Sequence, residues 1–468
     1  MSITNLQEWA QEIFGSAELN DPRRAKRLVV IACDLASSIA ESIAKASVCS
    51  SKITAAYRFM RNKAIDPDAI AESGYSTTDK RVKLSALVLA VQDTTCITYQ
   101  HNVCEELGDI TTANKNKPTK KRAIQVHSTM MIDANSEQTI GLANQHYWSR
   151  HKKQDVTSKA LRERDSKDKE SYKWQRNIEQ LSARLGALEN IIDVCDREAD
   201  MFEYLSFQIE HKHRFLVRMK ENRCLTDDEK VLDKLNKLTC CGHKEVLIPQ
   251  RGGKFSRKKR SVKLAIKYTQ VSLKNPSRDT NKKYESINVN VIECKEINND
   301  EGSLCWRLYT TEEITGIEDA QQLIRYYELR WRIEEFHKVW KTDGTKVESL
   351  RLQTYDSIKR ALVIKAFIAI RVFQIRELSQ EREDGKGIPC TDYVSVISWK
   401  LLWKKVESKP IPTKTPSLHW YYYAIARLGG WYDSKRTEKV SLKTFWDGWI
   451  KLTNLIEAYE LIKSLDLG

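Results

Sequence analysis

The spacing of apolar and polar residues divides the chain into a helical beginning, a middle with strands and a helical end. Over residues 1 to about 65, apolar residues recur at helical spacing, as they do through 28–39. Asp21 followed by Pro22 predicts the start of that helix, because Asp caps a helix N-terminus and proline fits its first turn. Ser50 or Ser51 can cap a second helix. We therefore expect a helical domain over residues 1–65.

Two short, continuous apolar runs in the middle of the chain predict strands that are buried on both faces. They are Leu87–Val91 and Ile191–Cys195, and each ends close to an aspartate, Asp93 and Asp196. Further segments predict strands over 124–132, 139–148, 215–220 and 304–310, and helices over 166–185 and 200–210. This alternation predicts an α/β fold.

Residues 222–303 differ from this pattern, since their alternating apolar residues predict a mostly β insertion. The loop 251–260 within it carries several lysines and arginines beside Gly252 and Gly253. Such a run is either a solvated loop or a phosphate-contacting finger, and a second basic loop covers 115–122. The end of the chain predicts helices over 357–378, 393–406, 417–428 and 445–465.

A predicted helix from Ile324 to Lys341 has two separate faces and contains neither proline nor glycine. Its apolar stripe comprises Leu329, Ile333, Phe336 and Trp340. Its polar face comprises Tyr327, Arg330, Glu334 and Lys341. The polar face has two possible roles. It is either a solvated face with ion pairs between residues four apart, or a surface that presents a carboxylate among cations to a ligand.

Charge and cysteine content narrow the class of protein. The 468 residues are 41% hydrophobic and carry a net charge of +15, which makes a polyanion, most commonly nucleic acid, the expected partner. The eleven cysteines are scattered without a C-x-x-C pair, so we expect no zinc site, no disulfide framework and a reducing cytoplasm. We expect no membrane partner, since no apolar run is long enough to span a bilayer and the N-terminus lacks a signal peptide.

Basic residues are concentrated on the first helices. Those singled out as DNA contacts are Arg23, Arg24, Arg27 and Arg58. An ordinary helical domain with a basic surface is the alternative, and the net charge favours DNA contact.

Three carboxylates are the candidates for chemistry. Asp93 and Asp196 follow buried strands, whose carboxyl ends are where ligands gather in an open α/β sheet, and Glu334 comes from the polar face of the helix. Three converging carboxylates repel one another unless a cation lies between them. Hard oxygen ligands select Mg²⁺ or Mn²⁺, and pairs of such ions suit phosphoryl transfer.

With these residues the sequence resembles the bacterial DDE transposases of the insertion-sequence-four group, and within it the Tn-five-type cut-and-paste enzymes. The signature of the group is Tyr, two residues, Arg, three residues, Glu, six residues and Lys. Tyr327, Arg330, Glu334 and Lys341 keep every spacing. Further similar stretches extend over nearly the whole chain: 21–24, 56–59, 93–95, 194–200, 330–338, 340–342, 424–430 and 433–437.

The resemblance implies an RNase H-like catalytic core over residues 66–365 that is interrupted by the β-rich insertion 222–303. It implies an N-terminal helical DNA-binding domain over 1–65 and a C-terminal helical dimerisation domain over 366–468. Such a protein would work as a homodimer on double-stranded DNA, at transposon inverted-repeat ends and at target DNA, in the bacterial cytoplasm at the nucleoid.

Matched residue by residue, the resemblance implies that Asp93, Asp196 and Glu334 hold two Mg²⁺ ions, for which Mn²⁺ can substitute. Trp306 would take up a flipped end base, with Trp331 near it; the alternative is that Trp306 is a core residue of a strand. The other implied DNA contacts are Tyr327, Arg330, Lys341, Lys338, Arg218 and Lys220.

The expected function is Mg²⁺-dependent excision of a transposon by nicking, hairpin formation and hairpin resolution, followed by transfer of its 3′-OH ends into target DNA. One alternative is a DNA-end-binding regulator of transposition that does not cut. The other is an RNase H-like nuclease, which would not need the end-binding and dimerisation flanks.

Overall fold

The computed structural model describes most of the chain. The described residues are 6–39, 41–47, 49–101, 103, 106–107, 122–150, 167, 169–248, 260–276, 284–297, 303–380, 387–434 and 440–465. The basic loops lie outside this set except for their last residues, Arg122 and Arg260, each of which begins a strand.

One nine-stranded mixed sheet runs through the described part of the chain in the order β3-β2-β1-β4-β5-β9-β8-β7-β6. Its strands are Val88–Tyr99 (β1), Arg122–Asp133 (β2), Thr139–Trp148 (β3), Ile191–Cys195 (β4), Arg214–Arg218 (β5), Gly242–Ile248 (β6), Arg260–Lys274 (β7), Ser286–Glu296 (β8) and Cys305–Thr310 (β9). The central strands β1, β4 and β5 are parallel, and the other neighbours pair antiparallel. The expected α/β class is confirmed.

The helices pack on this sheet and at its end. They are Leu6–Phe14 (α1), Pro22–Ser37 (α2), Ile43–Ala46 (α3), Ser50–Arg61 (α4), Pro67–Val82 (α5), Lys173–Leu185 (α6), Phe202–Glu210 (α7), Val231–Lys237 (α8), Ile317–Leu329 (α9), Trp331–Lys338 (α10), Tyr355–Gln380 (α11), Val396–Glu407 (α12), Leu418–Leu428 (α13) and Leu442–Ser464 (α14). No helix among the described residues combines the length and the apolar content needed to cross a bilayer.

The first strand is longer than the sequence predicts. Its β-branched residues Thr94, Thr95 and Ile97 suit a pleated surface, and pairing with β2 continues as far as Tyr99. The prediction that Asp93 ends a strand is therefore wrong, because Asp93 lies inside β1.

The β-rich segment 222–303 supplies β6, β7 and β8, and these strands extend the central sheet. β8 pairs with β9 from Asn290 to Lys295, and β9 pairs with β5. The helix α8 is also part of the segment.

The N-terminal helices begin close to where the sequence places them. Asp21 caps α2 by accepting a hydrogen bond of 2.9 Å from the backbone nitrogen of Arg23. The helix α4 starts one residue after Cys49, so neither Ser50 nor Ser51 is its N-cap. Phe14 of α1 packs edge-on against Phe367 of α11, with ring centroids 5.7 Å apart. This contact joins the N-terminal helices to α11.

The predicted helix 324–341 is not continuous. The backbone nitrogen of Arg330 bonds to the carbonyl of Tyr327, and that of Ile333 bonds to the carbonyl of Arg330, so the chain tightens locally between α9 and α10. A π-helical turn, Val339–Asp343, follows. The apolar stripe is confirmed, since all four of its residues are buried.

The helix α11 is buried along most of its length although it carries several charged residues. Lys365 directs its ammonium to the carbonyl of Thr345 at 2.9 Å, and Arg360 donates to the carbonyls of Ile65 and Met60. The domain boundary expected between residues 365 and 366 falls inside this helix.

Candidate active site

Asp93 lies in β1, and Asp196 directly follows the neighbouring parallel strand β4. The pairing of β1 with β4 ends at Val91 and Val194. Residues two apart on a strand share a face, so the continued register places Asp93 next to Asp196, on the face to which Val91 and Val194 point. The two carboxylates interact: the charge of Asp93 is one of the causes that raise the pKa of Asp196.

Asp196 has a second, structural task. It follows β4 directly and accepts a hydrogen bond of 2.8 Å from the backbone nitrogen of Glu198, which caps the short 3-10 helix Arg197–Ala199. Burial raises the pKa of Asp196 and Asp93 raises it further, whereas the cap bond and the charge of Arg330 lower it. The net direction is upward, so the fold disfavours the ionised carboxylate.

Glu334 reaches the same place from α10, held by Arg330. Nη2 of Arg330 lies 2.6 Å from Oε1 of Glu334, and Nη1 lies 4.0 Å from Oδ1 of Asp93. Burial raises the pKa of Glu334, Arg330 lowers it and Asp93 raises it, with a net upward shift. The three acids therefore form one electrostatic group, and the guanidinium of Arg330 lies against two of its members.

His337, one turn after Glu334, is a neighbour that the sequence did not single out. Its Nδ1 lies 3.4 Å from Oδ2 of Asp93, and its Nε2 lies 3.2 Å from Oγ of Ser128. Ser128 is the cross-strand partner of Asp93. The sequence feature that could have indicated His337 is its position three residues after Glu334, which places both side chains on one face of a helix.

Tyr327 and Trp306 form the apolar wall beside Arg330. Their ring centroids are 5.8 Å apart, and the guanidinium of Arg330 lies 5.8 Å from the Tyr327 centroid. Burial raises the pKa of Tyr327, and the nearby Arg330 and Arg218 oppose that shift. Trp306 is only 9% exposed, as its core alternative requires.

Several donors at this wall are buried without a well-formed hydrogen bond in the described part of the chain. They are the Tyr327 hydroxyl and Nε and Nη1 of Arg330. Because buried donors normally have a partner, these groups are available for an acceptor outside the chain.

The other predicted contacts lie around this centre. Trp331 is 53% exposed, with the guanidinium of Arg330 5.6 Å from its ring centroid. Lys338 is exposed, and Nζ of Lys341 lies 4.0 Å from Oε1 of Glu348. Lys220 is exposed, and its backbone nitrogen donates to the buried Asp200 at 2.7 Å.

The N-terminal arginines do not contact this centre. Arg23 pairs with its own helix cap Asp21 at 3.0 Å, and Arg24 donates to the carbonyls of Leu19 and Ala64. Arg27 and Arg58 are exposed, and within the described residues neither side chain makes a hydrogen bond or an ion pair.

The donor set suits a hard divalent cation, but its present arrangement does not enclose one. Among the described residues, no three His, Cys, Asp or Glu side chains lie close enough to hold one ion as they stand. Carboxylate oxygens are the ligands that Mg²⁺ and Mn²⁺ prefer. Burial and the charge of Asp93 raise the pKa of both Asp196 and Glu334, so a positive charge near them would favour their ionised forms.

Comparison with known proteins adds a family assignment for the N-terminal helices. Residues 6–65 match the family described as Transposase DNA-binding. The structure is also similar to the piggyBac transposase in a cryo-EM synaptic complex with hairpin DNA, over 98% of this chain and 80% of that one, with a TM-score of 0.40 and 10% identity. Helices α1 to α4 thus match a transposase DNA-binding family, which supports DNA as the expected partner.

Proposed function

We propose that this protein is a DDE transposase of the Tn-five type, which excises a DNA segment at its inverted-repeat ends and joins it to a target. The observation that supports this most is the placement of Asp93 in β1 next to the end of the parallel strand β4, which Asp196 follows, together with the contacts of Arg330 with both Asp93 and Glu334. The transposase DNA-binding domain over residues 6–65 supplies the substrate class.

In this proposal Asp93, Asp196 and Glu334 hold two Mg²⁺ ions. When bound, such ions polarise the scissile phosphate and generate the nucleophile for in-line displacement. In the first step, water would attack phosphorus and release a 3′-OH. This 3′-OH would then attack the opposite strand to form a hairpin, which a second water would open. The 3′-OH would finally attack the target DNA.

The residues of the chain would position the DNA for these steps. Within the described residues, the Tyr327 hydroxyl and Nε of Arg330 are buried without a well-formed hydrogen bond, which suits them to the oxygens of a backbone phosphate. Lys341 would contact a neighbouring phosphate, which would replace its long contact with Glu348. Trp306 beside Tyr327 would stack on an extruded base.

The end of α14 supports the proposed homodimer. Phe445 and Trp446 in its first half are buried, whereas the last turns expose Leu461 at 63%, Ile462 at 59% and Leu465 at 57%. Exposed apolar side chains on one helix end are typical of a surface that a second subunit covers.

A cleavage assay tests the proposal. Full-length protein is incubated with duplex DNA carrying a candidate inverted-repeat end and Mg²⁺, and Asp93, Asp196 and Glu334 are each replaced by Ala. We expect every variant to bind the end and none to cut it. A variant that cuts at the wild-type rate would remove its residue from the proposed metal site.

A further inference from the structure

A row of polar residues crosses three strands of the sheet and ends at the candidate active site. Gln145 of β3 is the cross-strand partner of Ser128 in β2, and Ser128 is the partner of Asp93 in β1. Asp196 continues the row beyond the end of β4. Gln145 and Ser128 are both buried. Burying a polar side chain costs free energy unless it forms hydrogen bonds, so the bonds of these two residues matter.

The hydrogen bonds along this row all point towards Asp93. The Tyr147 hydroxyl donates to Oε1 of Gln145 at 2.7 Å, and Nε2 of Gln145 donates to Oγ of Ser128 at 3.1 Å. Ser128 in turn contacts Nε2 of His337 at 3.2 Å. Since Ser128 already accepts from Gln145, its own proton is free to be donated to His337.

His337 carries the chain of donors to the carboxylate. A carboxylate can only accept a hydrogen bond, so the nitrogen of His337 that faces Asp93 must carry a proton to bond it. If Ser128 donates to Nε2 of the neutral ring, the proton is on Nδ1, and in the charged ring both nitrogens carry one. Nδ1 lies 3.4 Å from Oδ2 of Asp93, a long contact that a shift of about half an ångström would turn into a hydrogen bond. Oδ1 of Asp93 faces Arg330 instead.

We propose that His337, anchored by Ser128 and Gln145, is a positioning residue that holds Oδ2 of Asp93 and so leaves Oδ1, which faces Arg330, as the oxygen that would bind the metal. This inference rests on the proposed function. Hydrogen-bonded second-layer partners of metal ligands commonly contribute a factor of about 10 to 100 in metal affinity. His337 also joins the helix that carries Glu334 to the strand that carries Asp93, so one side chain sets the separation of two ligands.

Two amide substitutions separate the roles of the two ring nitrogens. The side-chain nitrogen of Asn falls where Nδ1 of His lies, whereas that of Gln falls where Nε2 lies. His337→Asn therefore keeps the donor to Asp93, and His337→Gln keeps only the contact with Ser128. His337→Phe retains the ring and removes both.

The readout is the Mn²⁺ affinity of the full-length protein, titrated by the signal of free Mn²⁺. We expect His337→Asn to bind within about threefold of wild type, and His337→Gln and His337→Phe to bind about 10 to 100 times more weakly. End-DNA binding should stay unchanged, because His337 is buried and its contacts are with Ser128 and Asp93 inside the protein. Equal affinity in all three variants, or equal losses in the Asn and Gln variants, would overturn the proposal.

Two further variants complete the test. Ser128→Ala removes the anchor of Nε2 and should weaken Mn²⁺ binding several-fold, so it replaces the Phe variant if that one does not fold; wild-type affinity here would also refute the inference. Asp93→Asn serves as the reference. If Asp93→Asn leaves Mn²⁺ binding unchanged, the proposed function fails; if it weakens binding and the His337 variants do not, only the positioning role fails.

Discussion

Replacing Asp196 by Asn should make the metal-free protein more stable while removing its activity. Burial raises the pKa of Asp196 and Asp93 raises it further, so the ionised carboxylate destabilises the fold. Asn caps helices about as well as Asp, and its side-chain oxygen can keep the 2.8 Å bond from the Glu198 nitrogen. The substitution thus removes an unfavourable charge without removing the cap.

The expected gain follows from the sign of the pKa shift. A carboxyl whose pKa is raised in the folded state contributes stability that is fully present below the unfolded pKa and is lost as the pH rises through the folded pKa. The advantage of Asp196→Asn should therefore be absent in strong acid and complete at pH 7.5. We expect about 0.5 to 2 kcal/mol, because Arg330 offsets part of the repulsion.

Mg²⁺ should reverse the order of stability of the wild type and Asp196→Asn. A ligand that binds only the folded state stabilises it by about 2.7 kcal/mol at a hundred times its Kd. The wild type should gain this amount and Asp196→Asn should not, since the variant lacks a ligand. Without metal the variant is then the more stable protein, and with saturating Mg²⁺ the wild type is.

Thermal unfolding followed by circular dichroism measures both effects, in EDTA and in Mg²⁺, at pH 7.5 and at pH 4. Glu245→Gln is the control, because Glu245 is exposed on the edge strand β6 and its replacement changes the net charge by the same amount. The reasoning is refuted if Asp196→Asn melts below the wild type in EDTA at pH 7.5. It is also refuted if Mg²⁺ raises both melting temperatures equally.

Three other predictions concern DNA and assembly. Arg58→Ala should lower the slope of log affinity against log salt for duplex ends by about one; an unchanged slope would exclude a phosphate contact. Trp306→Ala should slow hairpin formation far more than first-strand nicking, with Trp306→Phe as a packing control, whereas equal slowing of both steps or loss of soluble protein would assign Trp306 to the core. Leu461→Glu should cost little stability, because Leu461 is 63% exposed, yet abolish paired-end complexes in gel shifts; a monomeric variant that still makes concerted double-end cuts would contradict the dimer.

The sequence predicts the central sheet well because each strand carries its own local signal. The runs at Val88 and Ile191 are apolar on both faces, as strands covered on two sides must be, and both lie where predicted. The adjacency of Asp93 and Asp196 depends on the register between β1 and β4. Nothing local in either strand encodes that register, so the sequence supports only the weaker statement that each aspartate lies near the end of an apolar run.

Polar residues inside the core are what the sequence predicts least. On the opposite face of the same strands, Nε2 of Gln92 donates to Oδ1 of Asp193 at 2.6 Å, and Gln208 donates to the other oxygen at 2.9 Å. Burial raises the pKa of Asp193 to about 6. Such residues break the apolar pattern and look like surface positions until their partners, distant in the chain, are known. The role of His337 in α10 is equally hard to predict, since its partners Ser128 and Asp93 lie on strands that are distant in the sequence.

The position of Arg330 explains why an arginine suits the proposed function at this point of the signature. Its Nη2 holds Glu334 and its Nη1 faces Asp93, while Nε has no partner among the described residues. A lysine, with one compact ammonium on a flexible stem, could not direct separate donors to two carboxylates and a third group. In the proposed function, metal ions would neutralise the acids and leave both ends of the guanidinium fork available to a phosphate, so the charge that now lies against the carboxylates would hold DNA. Arg330→Lys should therefore impair cleavage far more than end binding, although the net charge is unchanged.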